Sequence, residues 1–313
     1  MQYDVICAGM ALVDSIIRGL DPEPVSASGY LAESGSLSVG GEAVNTAVAA
    51  AKLGLKTGIL CALGDDPAGE MVRNELTRNG VDTRFIVKSP ATPVSTIIVR
   101  ADGTRKSVTN QAHRYSFHPE GDPGLFTDAR VLILGSLFRA PFDDPVGIHA
   151  VLTCAKAAGQ IVIADTKLPN FRFLTLKDIA ESLPLIDTIT PNEDEARYFT
   201  GKEEPEAMAD AFLALGVKRV IVKLGGKGCQ LKSAEQTLRL PAIPIDPVDA
   251  TGAGDNFVAG FASEILRGAS EAEALRFANA CGAICTSAVG AGTALRGRDQ
   301  VLQLLKSAEE NGC

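Results

Sequence analysis

Short apolar runs alternate with segments of helical period along most of the chain, and this alternation constrains the fold more than any other feature. In the second half the runs fall at 131–134, 161–165, 185–190 and 220–225. Helical patterns fit around them at 143–159, 193–199, 205–215, 270–288 and 298–307. Asp143-Asp144-Pro145 opens the first of these and Gly159 ends it, while Ser270 and Glu273 make a capping-box pattern at the start of the fourth. The first half has the same rhythm: a run at 5–9, a helix at about 43–53, a run at 58–63, and a helix from Pro67 that Gly80 stops. Strands buried on both faces read as continuous apolar runs, and strand–helix alternation implies right-handed crossovers between parallel strands. The predicted fold class is therefore α/β, a mostly parallel sheet flanked by helices.

Two segments break the rhythm. Residues 22–39 are polar and irregular, and the β-prone stretches at 92–100 and 104–109 flank Asp102-Gly103, a strong hairpin signal. These excursions, near 15–40 and 92–112, predict a small β-sheet lid on a single α/β domain spanning 1–313. No linker-like segment or fixed-period repeat divides the chain. His113, Arg114 and His118 follow the hairpin without metal-ligand spacing.

Composition narrows the function classes. A hydrophobic content of 46% is ample for a buried core. The net charge of −8 argues against a nucleic-acid partner. No run approaches the roughly 20 apolar residues of a membrane span, and Met1-Gln2-Tyr3-Asp4 lacks the basic start of a signal peptide. The seven cysteines are scattered and form no Cys-x-x-Cys, and Cys281 and Cys285 share a helix face as small packing residues. A reducing, cytoplasmic setting is expected.

The chemistry concentrates in Asp249-Ala250-Thr251-Gly252-Ala253-Gly254-Asp255-Asn256-Phe257. A small-residue loop here opens directly into an apolar helix, whose free N–H groups and positive dipole end favour an anion. Asp255 would repel that anion, unless it takes a proton from whatever attacks a bound phosphate. An ordinary Gly-rich loop with an acidic N-terminus is the alternative. Gly40 and Gly41 allow close backbone approach beside Asn45, an amide in the first helical turn. Asp14 lies shortly after the first strand, where ligand crevices form in parallel sheets, and is a candidate hydroxyl binder or a solvated loop residue. Gly225-Gly226-Lys227-Gly228 lacks the spacing and hydroxyl of a Walker A loop. Gly252-Ala253-Gly254 comes too late for a dinucleotide fingerprint and has Phe257 where the third glycine belongs.

These residues resemble the PfkB, or ribokinase-like, family of carbohydrate and nucleoside kinases. Gly40-Gly41, Asn45-Thr46-Ala47, Gly54 and Gly64 follow its N-terminal pattern, and 249–255 continuing to Ala259-Gly260-Phe261 follows its C-terminal one. Asn192 with Glu195 resembles its Asn-x-x-Glu motif, and Gly9 with Asp14 its opening strand and substrate aspartate. The resemblance implies ATP-dependent phosphorylation of a sugar-like alcohol, at a hydroxyl expected to be primary. It implies Asp255 as general base and Gly252, Ala253 and Gly254 as the anion hole. Asp14, Gly40, Gly41 and Asn45 would meet the acceptor. Asn192, Lys223, Gly225, Gly228 and Asn279 would line ATP, with Asn192 and Glu195 holding Mg²⁺. Asp249, with backbone groups near 287–293, resembles a monovalent-cation (K⁺) site, and relatives suggest a homodimer through the lid. Ala250 stands where Thr is frequent, Gly135-Ser136-Leu137-Phe138 lacks the acidic residue of ribokinases, and Asp165-Thr166-Lys167 differs from the Asp-Pro-Asn of fructokinase-like members. The acceptor is left open among sugars, with a nucleoside kinase and a non-catalytic sugar-binding protein as alternatives.

Overall fold

The computed structural model describes residues 2–19, 31–100, 104–113, 115–117 and 128–310. Asp102, Gly103, Arg114 and His118, and the part of the first excursion at 20–30, lie outside the described residues. In chain order the first half contains β1 (Tyr3–Ala8), β2 (Leu12–Arg18), β3 (Ser34–Gly40), α1 (Glu42–Lys52), β4 (Thr57–Leu60), β5 (Ala62–Leu63), α2 (Pro67–Arg78), β6 (Val87–Lys88), β7 (Val94–Val99) and β8 (Arg105–Thr109). The second half contains β9 (Ala129–Leu137), α3 (Pro145–Ala157), β10 (Ile161–Thr166), β11 (Thr188–Ile189), α4 (Glu193–Thr200), α5 (Pro205–Leu213) and β12 (Arg219–Lys223). It ends with β13 (Cys229–Ser233), β14 (Thr237–Leu240), α6 (Ala253–Leu266), α7 (Glu271–Thr286) and α8 (Arg298–Glu310).

Among the described residues the large sheet has eight strands in the order β14-β13-β12-β11-β10-β9-β1-β4. From β12 to β4 every pairing is parallel, and β13 and β14 add antiparallel pairings at one edge. The apolar runs are continuous because both faces are buried. Val5, Cys7, Val131, Ile133, Ile163 and Ile221 point into a core with α1, α2, α6, α7 and α8. Their neighbours Ile6, Ala8, Leu132, Leu134, Val162 and Val220 point into a second core with α3, α4 and α5. Helix starts follow the local chemistry: Asp66 and Asp144 cap α2 and α3 ahead of Pro67 and Pro145, and Ser270 with Glu273 makes the expected capping box.

The lid is a separate four-stranded sheet, β3-β2-β7-β8. β7 and β8 form the expected hairpin. The segment 34–40, read as irregular, is strand β3: its serines and glycines pair along β2 with little burial, so the alternating apolar signal of a strand is missing. The run at 58–63 divides between β4 and β5, and the run at 185–190 shortens to β11 because a 3₁₀ turn occupies Leu183–Leu185.

Candidate active site

The strand order turns back on itself between β1 and β9: the chain passes from β1 outward to β4, then from β9 toward β14 on the other side. Such a switch point opens a crevice beyond the carboxyl ends of the strands. Here a cleft of about 1430 Å³ lies there, with α1 and α6 presenting their N-termini and the small sheet forming a roof.

The start of α6 is held open by its neighbours. Gly252 is left-handed (φ 78°), and a Cβ there would collide with Ala291. Asn256, 1% exposed, donates from Nδ2 to Gly252 O (2.9 Å), Ala291 O (3.0 Å) and Cys285 Sγ (3.2 Å). Asp249 Oδ1 accepts from Thr251 N (3.0 Å) and Oγ1 (2.7 Å), and its Oδ2 accepts from Gly290 N at 3.0 Å. Asp249 is thus joined to the 287–293 segment by its bond from Gly290 N. Among the described residues, no backbone or side-chain group accepts from the N–H groups of Gly252, Gly254 and Asp255, whereas Ala253 N turns to Ala250 O at 3.2 Å. The uncommitted donors at this helix start are therefore the N–H groups of Gly252, Gly254 and Asp255, and Ala253 N is engaged within the loop.

Asp255, 5% exposed, meets Asn45 of α1 across 210 residues of sequence: Asn45 Nδ2 donates to Asp255 Oδ2 at 2.7 Å. Burial pushes the Asp255 carboxyl up to about 6; Lys167 and the Asn45 hydrogen bond oppose this, while Glu42 and Asp165 add to it. Asp14 is not a loop residue after β1. It lies on β2 in the lid, where burial and Glu42 raise it to about 6. Strand register puts Ser38, Asp14, Ser95 and Thr109 in one row facing the cleft, with Thr109 Oγ1 donating to Ser95 Oγ at 3.1 Å. The Gly-Gly pair serves this packing. A Cβ on Gly40 would collide with the Asp14 carboxylate, and one on Gly41 (φ 101°) with Met10 O.

Lys223, Gly225, Gly228, Asn192 and Asn279 do not line this cleft. They group at the carboxyl ends of β11 and β12, behind the loop. Asn192 bridges Lys223, and Lys223 Nζ pairs with Asp165 Oδ1 at 2.5 Å. A Cβ on Gly254 would lie 3.0 Å from that ammonium. Gly228 packs on 240–242, and Asn279 Nδ2 donates to Pro241 O at 2.6 Å. Asn192 and Glu195 form a capping box on α4, and Glu195 Oε2 also accepts from Thr166 Oγ1 at 2.8 Å. Burial and Asp165 raise the Glu195 carboxyl. Among the described residues no cluster of three or more His, Cys, Asp or Glu is arranged for a metal.

Sequence reasoning assigned no role to Asn256, Asp165, Ser136 and Lys167. Asn256 could have been found from its place inside the Gly-rich stretch. Ser136 lines the cleft with a buried, positive-φ backbone (65°) and a hydroxyl without a hydrogen-bond partner among the described residues. Nothing in local pattern marks Ser136 or Lys167, because their position depends on which strand ends are neighbours.

A switch-point cleft, a helix N-terminus with uncommitted donors and a buried carboxylate beside it define an α/β phosphotransferase site. The pfkB family carbohydrate kinase model matches residues 5–297, and the chain belongs to this family. It is 30% identical to a probable fructokinase-7 of Arabidopsis thaliana over 97% of this chain and 92% of that protein. It is 29% identical to a ribokinase of the same plant over 96% and 81%. The structure of Arabidopsis thaliana ribokinase complexed with ribose and ATP superposes with a TM-score of 0.85 at 28% identity, covering 98% of this chain and 99% of that one. The protein is a carbohydrate kinase, a phosphotransferase with an alcohol group as acceptor.

Proposed function

We propose that the cleft binds a monosaccharide or its derivative under the lid and phosphorylates one of its hydroxyls, a primary one, from ATP. The single observation that carries this reading is the buried Asp255 carboxylate, anchored by Asn45 and adjoining the uncommitted N–H groups at the start of α6. Asp255 accepts the proton as the acceptor oxygen attacks the γ-phosphorus, and the bond to the bridging oxygen breaks with its electrons leaving on ADP. The N–H groups of the 252–255 loop receive the charge of the phosphoryl oxygens. Asp14, Asn45 and the backbone at Gly40 and Gly41 hold acceptor hydroxyls.

ATP lies on the side of Lys223, Gly225, Gly228, Asn192 and Asn279. The residues there fit Mg²⁺: Asp165 Oδ2 is buried without a hydrogen-bond partner among the described residues beside Glu195, and hard oxygen donors suit that ion. Asn192 and Glu195 would hold it, and when bound it neutralises phosphate charge. Asp249 and the 287–293 backbone would take a monovalent cation. Leu37 (63% exposed) and Val108 (71% exposed) on the lid's edge strands support a homodimer through the lid. The chain reads as one catalytic unit with its lid, acting without nucleic acid or membrane in the cytoplasm.

A nucleoside acceptor is the second reading, favoured by Ile16 and Ile97. They pair across β2 and β7, one step along the roof from Asp14, and would cover a base. An ATP-consumption screen over free sugars, sugar phosphates, sugar acids and nucleosides tests both. Turnover on a sugar class supports the first reading, preference for nucleosides supports the second, and none on any class overturns the kinase reading.

A further inference from the structure

Lys167 is positioned by bonds on both sides of it. Its own N–H donates to Leu137 O at 2.9 Å, and Leu168 O accepts from Arg139 Nε at 2.6 Å. Thr166 and Asp165 before it are bound to Glu195 and Lys223 respectively. The side chain lines the same cleft as Asp255. Among the described residues its ammonium has no hydrogen bond and no carboxylate within 4 Å. Four carboxylates nevertheless act on it from four elements: Asp255 on α6, Asp165 on β10, Glu42 on α1 and Glu195 on α4. Three of them have other direct partners: Asp255 takes Asn45, Asp165 takes Lys223 and Thr190, and Glu195 takes Thr166 and the Asn192 backbone. These acids hold the lysine protonated without neutralising it by contact.

The two lysines of this region differ in a way that indicates a role. Lys223 lies behind Gly254 and is committed to Asp165. Lys167 is uncommitted and lines the cleft with Asp255, while its backbone follows two residues after Asp165, the partner of Lys223 on the side proposed for ATP. A half-buried ammonium without a direct partner is costly unless something else supplies the countercharge.

We propose that Lys167 is a catalytic cation for the phosphoryl group in flight, pairing with a non-bridging oxygen as the group leaves the bridging oxygen of ATP and bonds to the acceptor oxygen. The proposal rests on the kinase reading of this cleft. Lys167 undergoes no covalent change: the acceptor proton goes to Asp255 and the leaving electron pair to ADP. The transition state of phosphoryl transfer spreads charge over three equatorial oxygens. Backbone donors of the 252–255 loop meet that charge from one side, and a preorganised ammonium meets it from another.

The test compares wild type with Lys167→Met and Lys167→Arg. Lys167→Met should lower kcat by about 10²–10³-fold, the loss typical of removing one oxyanion donor, with the KM values for ATP and acceptor within about threefold of wild type. Lys167→Arg should recover part of the loss. A second readout needs no acceptor: aluminium fluoride with MgADP, a mimic of the transferring phosphoryl group, should raise the denaturation temperature of wild type above that with MgADP alone. Lys167→Met should lose that increment while keeping the effect of MgADP. Unchanged kcat, a rise confined to acceptor KM, or an increment equal to wild type overturns the proposal and leaves the kinase reading standing. If wild type turns over no acceptor and shows no increment, both fall.

Discussion

Asp255 sits where ionisation is disfavoured, yet the base role proposed for it requires it to be ionised. Its burial is offset only in part by Lys167 and the Asn45 amide, so its carboxyl lies near 6 rather than at the usual value of 3.8. Two effects of opposite sign are expected. kcat/KM should fall about tenfold per pH unit below about pH 6, because a protonated base cannot accept the acceptor's proton. Stability responds the other way. A carboxyl whose folded pKa is raised contributes stability that is fully present below the unfolded value near 3.8 and lost as pH rises through about 6. Asp255→Asn should therefore be more stable than wild type at pH 8, by up to about 3 kcal/mol, and the gain should disappear near pH 4. Urea denaturation at the two pH values checks this; equal midpoints at pH 8 would show that the carboxylate is not held against its preference.

Helix α6 owes its open N-terminus to Asn256 rather than to its glycines alone. One amide ties Gly252 O to Ala291 O and Cys285 Sγ, and so fixes the loop against the end of α7 and the following segment. Asn256→Ala removes this tie but leaves Gly252 O its bond from the Asn256 backbone N–H and Ala291 O its contact with Cys285 Sγ, so it should destabilise the fold by about 1 kcal/mol and lower kcat while ATP still binds. A folded variant with wild-type kcat would remove Asn256 as the support of the loop. Sequence foretold elements best where burial dictates composition. β9, β10 and β12 were legible because both faces are apolar, and α2, α3 and α7 because their caps are local. The edge hairpin of β13 and β14 was not, since Gln230, Lys232 and Arg239 give its strands no long apolar run. β2 escaped for a similar reason: Leu12, Asp14, Ile16 and Arg18 face a cleft, where polar and apolar residues mix. For the site, residues within one motif were legible, whereas Lys167 and Ser136 enter through strand order, which no local spacing encodes.

At the scale of the whole molecule the cleft exists because two sheets meet at a switch point. The large sheet supplies rigid strand ends and two helix N-termini, and the lid supplies Asp14 and its row of hydroxyls. The hydrogen bond from Asn45 to Asp255 closes this arrangement, joining the acceptor side to the phosphate side of the proposed reaction. No helix among the described residues is long and apolar enough to cross a membrane. The central claim is that acceptor deprotonation and phosphoryl transfer meet at Asp255. Its most direct test is acceptor-dependent ADP formation by Asp255→Asn, measured beside ATP binding by the same folded protein. The account predicts a loss of about 10²–10⁴-fold in kcat with ATP affinity retained; turnover near that of wild type would contradict it.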